Sequence, residues 1–230
     1  MRNLQSLAIA AILLTAAACG RSGETRSPTT PSPTASTLER AARADSVRRS
    51  YTQADVDFMT GMIHHHAQAL VMARMAPTHE ASSPLQVLAA RIINGQKDEI
   101  ALMQQWLRDH GQPVPEVSED GMVVGAAGGH GAHAGHGGHH AAAMPGMLTP
   151  AQMERLGAAR GAEWDRLFLT FMIQHHQGAL TMVDALFATY GAGQGDAIFK
   201  IAADIGADQA SEIDRMQLML HELMFGPGSH

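Results

Sequence analysis

Thiols are almost missing from this chain. Cys19 is the single cysteine in 230 residues, so no internal disulfide braces the fold. Aromatic residues are scarce at 4%, and strand-like runs are nearly absent. The Ala, Leu, Met and Gln that remain suit helices. A basic surplus is missing too: the formal net charge is −6, with no stripe of Lys and Arg, which argues against a nucleic-acid surface. The apolar run Leu7–Ala18 is too short for a confident membrane span. No helix carries Glu-x-x-His, whereas a ferritin-like di-iron oxidase needs two such pairs. A copper oxidase is weaker still, because multicopper sites expect a cysteine ligand for rapid electron transfer.

The N-terminus reads as an export signal. Arg2 supplies the positive start, Leu7–Ala18 the apolar run, and Cys19 follows Ala16-Ala17-Ala18 and precedes Gly20. This has the form of a lipoprotein cleavage box, with Ala16 where Leu is usual and Cys19 as the lipid-bearing residue; ordinary signal cleavage nearby is the alternative. Residues 1–19 are thus assigned to a lipoprotein signal peptide. Residues 20–36, rich in Ser, Thr and Pro, form a tether. The expected location is the cell envelope, in the periplasm or on the outer face of a membrane, reached only through a lipid anchor. Without a free thiol in the mature fold, methionine takes the soft-ligand role in an oxidising compartment.

What the chain does hold is methionine and histidine, 15 and 14 residues, arranged in a repeat. Residues 62–72 read M-I-H-H-H-A-Q-A-L-V-M, and residues 172–182 read M-I-Q-H-H-Q-G-A-L-T-M. At an offset of 110, Met62, Ile63, His65, His66, Ala69, Leu70 and Met72 fall on Met172, Ile173, His175, His176, Ala179, Leu180 and Met182. Apolar residues recur at helical spacing, and a helix turns roughly 100° per residue. With Met62 at zero, His66 and His65 sit at about 40° and 300°, inside the methionine stripe, and His64 at about 200°, pointing away. The second copy has Gln174 in the place of His64 while both inward histidines recur. A further match, Gln96, Glu99, Ile100 and Met103 against Gln209, Glu212, Ile213 and Met216, runs at an offset of 113. The extra residues fit the Gly-rich turn 190–196. Each half is then a helical hairpin, and two hairpins stack as an all-α four-helix bundle.

The bundle spans 37–230: repeat one 50–110, a His/Gly-rich inter-repeat loop at 112–147, and repeat two 149–225. A leading helix is expected over Thr37–Arg49. Thr52 caps the first motif helix and Pro77 ends it. Ser83 and Pro84 open the second helix, which Gly111 stops. Thr149 and Pro150 open a short helix, and the remaining helices cover about 163–189 and 196–224. Within the loop, His130, His133, His136, His139 and His140 place five histidines in eleven residues, an auxiliary collector for Cu(II), Zn(II) or Ni(II). Met122, Met144 and Met147 flank it.

Imidazole and thioether are neutral ligands that suit Cu(I). The candidate metal ligands are His65, His66, Met62, Met72, His175, His176, Met172 and Met182, with Met103 and Met216 from the partner helices. Glu99 and Glu212 are expected to orient the imidazoles by hydrogen bonding, and Gln96 and Gln209 to bridge in the same polar layer. His64, His79, His110 and His221 are assigned to the surface, Trp106 and Trp164 to the core or an interface.

The double M-I-x-H-H-x-x-A-x-x-M motif, each copy followed by Q-x-x-E-I-x-x-M, resembles the domain of unknown function 305 family, which includes CopM-like periplasmic copper-binding proteins. The resemblance covers about 50–110 and 150–225. It implies a ferritin-like fold, secretion and copper binding linked to metal resistance, with copper efflux or resistance proteins as partners. His64 and Gln174 stand where the family often has proline, so no proline kink is expected there. The reading is a secreted or lipid-anchored protein, not an enzyme, that sequesters or hands over copper as Cu(I) or takes Ag(I). The alternatives are a ferritin-like di-metal oxidoreductase and a non-metal structural or interaction bundle. Oligomeric state is left open.

Overall fold

The computed structural model describes residues 36–40, 51–119, 121–124 and 144–226. The signal peptide, Cys19, most of the tether and the five loop histidines lie outside the described residues, as do positions 41–49 of the expected leading helix. Residues 36–40 are helical and belong to a unit of their own, Met1–Ala41. All that follows concerns the second unit.

The four long helices have local causes. Helix α1, Gln53–Ala73, starts at a capping box in which Thr52 and Asp55 satisfy each other's backbone N–H groups. It ends four residues before Pro77, which sits in a short 3-10 turn, Ala76–Thr78. Helix α2, Ser83–Asp109, has Pro84 in its first turn; its N-cap is Ser82, one residue earlier than the Ser-Pro pattern indicates. Gly111, at φ 65°, turns the chain away after it. The short helix α3, Pro150–Ala158, carries the Thr149/Gln152 capping box. Helices α4, Gly161–Ala188, and α5, Asp196–Phe225, complete the set. Neither α1 nor α4 is interrupted at His64 or Gln174.

Helix α1 packs on α2 and on α4, and α5 packs on α4 and on α2. The fold is all-α apart from one feature that the composition hid. Within the expected linker, Glu116–Val117 (β1) pairs antiparallel with Val123–Val124 (β2). Two-residue strands are too short to leave a period in the sequence. Among the described residues no helix is long and apolar enough to cross a membrane.

Two buried carboxylates tie the hairpins together. Asp55 Oδ1 accepts the Gly193 backbone N–H at 2.7 Å, from the turn before α5. Asp165 accepts the Ser82 N–H at 3.2 and 3.3 Å, from the start of α2. Each motif helix therefore holds the turn of the other hairpin. Asp55 and Asp165 are themselves 110 residues apart, the offset of the histidine repeat; that shared offset was the signal that could have singled out Asp165.

Candidate metal centre

The histidine pairs lie where the helical phase puts them. His65, His66, His175 and His176 are each 0% exposed. Helices α1 and α4 bring their inner faces together there, so that the His65 and His175 rings lie 3.8 Å apart at 38°. His65–His66 and His175–His176 centroids are 6.4 and 6.2 Å apart.

Hydrogen bonds decide which nitrogen of each ring is free. His66 Nε2 lies 2.7 Å from Glu99 Oε2, and His176 Nε2 lies 2.6 Å from Glu212 Oε2. A carboxylate only accepts, so both rings donate from Nε2 and leave a lone pair on Nδ1. His65 Nε2–H donates to the Pro145 carbonyl at 3.0 Å, with the same consequence. All four Nδ1 atoms, and Nε2 of His175, are buried without a hydrogen-bond partner. Leaving one buried polar group unmatched costs about 1–3 kcal/mol. Five in one layer is a large debt for a bundle that merely packs, and it fits a set of donors waiting for an ion.

Burial also keeps His65 and His175 uncharged. The His65 pKa is lowered to about 3, first by desolvation and then by His66, the Pro145 carbonyl opposing. His175 is pushed well below the usual histidine value by desolvation, then by His65 and His176. Neutral imidazole is the form that ligates.

The methionines divide. Met72, Met172 and Met216 belong to one apolar cluster. Met62 and Met103 belong to another, against which the half-buried Met182 packs. Met62 and Met72 are separated by about 15 Å along α1 at 1.5 Å per residue. The candidate thioethers therefore fall into two apolar clusters, because residues on one helical stripe share a face without sharing a height.

Other expectations shift as well. Gln96 and Gln209 are buried beside Glu99 and Glu212 as expected, yet the Gln96 amide makes no hydrogen bond, so it bridges nothing within the protein. His79 is tied rather than free: Nδ1 meets the Met75 carbonyl at 2.8 Å and Nε2 that of Gly157 at 3.0 Å. His110 stacks on Trp106 at 4.1 Å and bonds its carbonyl. His64 is half-buried, and His221 is exposed. Trp106 and Trp164 are core.

A strap that sequence reading missed closes over the layer. Residues 144–148 cross α1 and α4, held by Gln68 to both backbone groups of Leu148 and by Gln174 Nε2 to the Gly146 carbonyl. Gly178 makes this possible, since a Cβ there would lie 2.0 Å from the Pro145 oxygen. Gly178 stands where repeat one has Gln68, a departure from the repeat that marked the contact.

Fold and site together define a mostly helical protein with a buried layer of four imidazoles and two apolar clusters that hold methionines. Residues 55–220 match the family model described as Domain of unknown function (DUF305), and the chain belongs to that family. Solved structures agree. A DUF305 fragment from Deinococcus radiodurans is 27% identical, covering 75% of this chain and 98% of its own, at a TM-score of 0.58. A DUF305 protein from Streptomyces coelicolor is 26% identical, covering 77% and 98%, at 0.57. CopM in its Cu(II)-bound form is 29% identical, covering 73% and 96%, at 0.52; the same protein is known with Cu(I) and with silver. No curated protein matches the chain.

Proposed function

We propose that this chain is a metal-binding protein of the cell envelope, not an enzyme, that sequesters or hands over copper as Cu(I) and accepts Ag(I). The observation that carries the reading is the buried set of five imidazole nitrogens without a protein partner. The donor set matches the cargo: neutral nitrogen and thioether sulfur favour a soft monovalent ion. His65, His66, His175 and His176 supply nitrogen through Nδ1. Met62, Met103 and Met182 supply sulfur on one side, Met72, Met172 and Met216 on the other. Glu99, Glu212 and the Pro145 carbonyl hold the rings in the ligating tautomer. With it we propose a ferritin-like four-helix bundle descended from two duplicated hairpins; the matched His66–Glu99 and His176–Glu212 contacts and the reciprocal Asp55 and Asp165 ties support it. The export signal and Cys19 support an envelope location with lipid anchoring, and the loop histidines an auxiliary collector.

The test is X-ray absorption on Cu(I)-loaded protein whose histidines 130, 133, 136, 139 and 140 are replaced by alanine. Mixed nitrogen and sulfur scattering is expected. Failure to take up stoichiometric Cu(I), or a shell with no sulfur, defeats the reading in favour of a structural bundle.

A further inference from the structure

Gly61 on α1 holds open a place where two thioethers meet. A Cβ built there would lie 3.4 Å from Met182 Cε and 3.6 Å from Met144 Sδ. Met182 comes from α4 and Met144 from the start of the strap, so three separate elements converge on one point. We propose that Met144 and Met182 form an outer two-sulfur site for a soft monovalent ion, and that the ion enters the imidazole layer from it. The proposal rests on the copper reading above for its cargo, and adds to it a residue, Met144, and a route.

The first argument is access. Met62, Met72, Met103, Met172 and Met216 are each 0% exposed, as are the four histidines. Met144 and Met182 are half-buried, so solvent reaches both. An ion from water can touch these two sulfurs while the buried donors are still closed to it. The second is the repeat. At the offset of 110, Phe58, Thr60 and Met62 fall on Phe168, Thr170 and Met172, but Gly61 falls on Phe171. Phe171 is buried in the apolar cluster of Met172. A ring in the place of Gly61 would displace both thioether ends, so the repeat breaks where they need room. The third is position. Met144 adjoins Pro145, whose carbonyl accepts the His65 Nε2–H at 3.0 Å. Gly61 precedes His65 by four residues, about 6 Å along α1. The outer site is thus about one helical turn from the imidazole layer, and the strap that bears Met144 also touches that layer. The fourth is chemistry. Thioether sulfur selects soft ions such as Cu(I) over hard ones. Methionine has three rotatable bonds, so both sulfurs can turn onto one ion. Two donors hold an ion less tightly than the larger set inside, which favours passage inward.

Simple packing would also seat two methionines over a glycine. Met144→Leu separates the two roles, because leucine keeps the apolar volume and removes the sulfur. The test is an NMR titration with Ag(I) of the full chain whose five loop histidines are replaced by alanine, read at methionine methyls and imidazole nitrogens. Once the His175 nitrogens have shifted, further Ag(I) is expected to shift the Met144 and Met182 methyls together. Met144→Leu should keep the His175 step and the His65 nitrogen signal, which reports a seated strap. It should weaken the later Met182 response by at least about tenfold, and slow Cu(I) uptake from a chelator complex by a similar factor. Met182→Leu is the reciprocal check, and the Met144 response should weaken equally. A Met144 methyl that never shifts, or a Met182 response that Met144→Leu leaves unchanged, overturns the site and leaves a packing contact; an unchanged uptake rate overturns the route. Imidazole shifts without the Met144 shift sink this proposal alone. A Met144 shift without imidazole shifts sinks the copper reading of the layer instead.

Discussion

His65 and His66 are neighbours in sequence but are held by different groups, one by a carbonyl of the strap and one by a carboxylate of α2. Both arrangements free Nδ1. Replacing His65 and His66 together by alanine is therefore expected to lower Cu(I) affinity far more than His64→Ala, as measured by competition with a Cu(I) chelator; equal losses would defeat the assignment of faces. Glu99→Ala removes the acceptor that fixes the His66 tautomer, and outer-shell losses of this kind cost about 10–100-fold in metal affinity. The same titration reads it. The lowered pKa of His65 also sets a pH dependence. Between its folded value near 3 and its ordinary 6.5, the unfolded chain binds a proton that the folded chain does not. Stability is then fully present above pH 6.5 and falls as pH drops toward 3, by about 1.4 kcal/mol per pH unit for each such ring. His175 acts in the same direction. Urea unfolding at stepped pH checks this, and His65→Gln should flatten the slope by about one ring's share.

Elements are joined here by a few polar ties rather than by propensity. Asp55 and Asp165 each pin the turn of the opposite hairpin. Asp165→Ala removes the charged acceptor of the Ser82 N–H and is expected to cost about 1.5–3 kcal/mol in unfolding free energy, where a loss near zero would show the tie to be idle. The strap is the other joint. Gly178→Ala puts a methyl into the Pro145 carbonyl, so residues 144–148 must lift. Overpacking of this kind costs about 1–3 kcal/mol. Protease sensitivity at 144–148 and a changed His65 imidazole nitrogen signal should follow, because the Pro145 contact goes with the strap.

For the whole molecule, the His65 and His175 rings meet only where α1 packs on α4, so the proposed metal binding and folding form one equilibrium. The donors converge only when α1 meets α4, so an ion that binds the folded form adds its binding energy to stability. Free Ag(I) at a hundred times its dissociation constant should raise the unfolding free energy by about 2.7 kcal/mol. A melting temperature that does not move with Ag(I) would mean that the layer binds nothing.

Local chemistry made much of this legible. Thr52 with Asp55 and Thr149 with Gln152 announce helix starts because capping is a contact between residues three apart. The phase of a helix likewise separates His65 and His66 from His64 with no knowledge of a partner. Height along the bundle is different. Met62 and Met72 share a stripe, and only the packing of α4 and α5 shows that they serve different clusters. The strap joins residues about 80 apart in the chain, too far for any period to record, and the strands Glu116–Val117 and Val123–Val124 are too short to show one. The sequence by itself determined which side chains face inward, since that follows from rotation about one helix axis. Tertiary structure alone decided which of them meet, since that depends on where a second helix crosses.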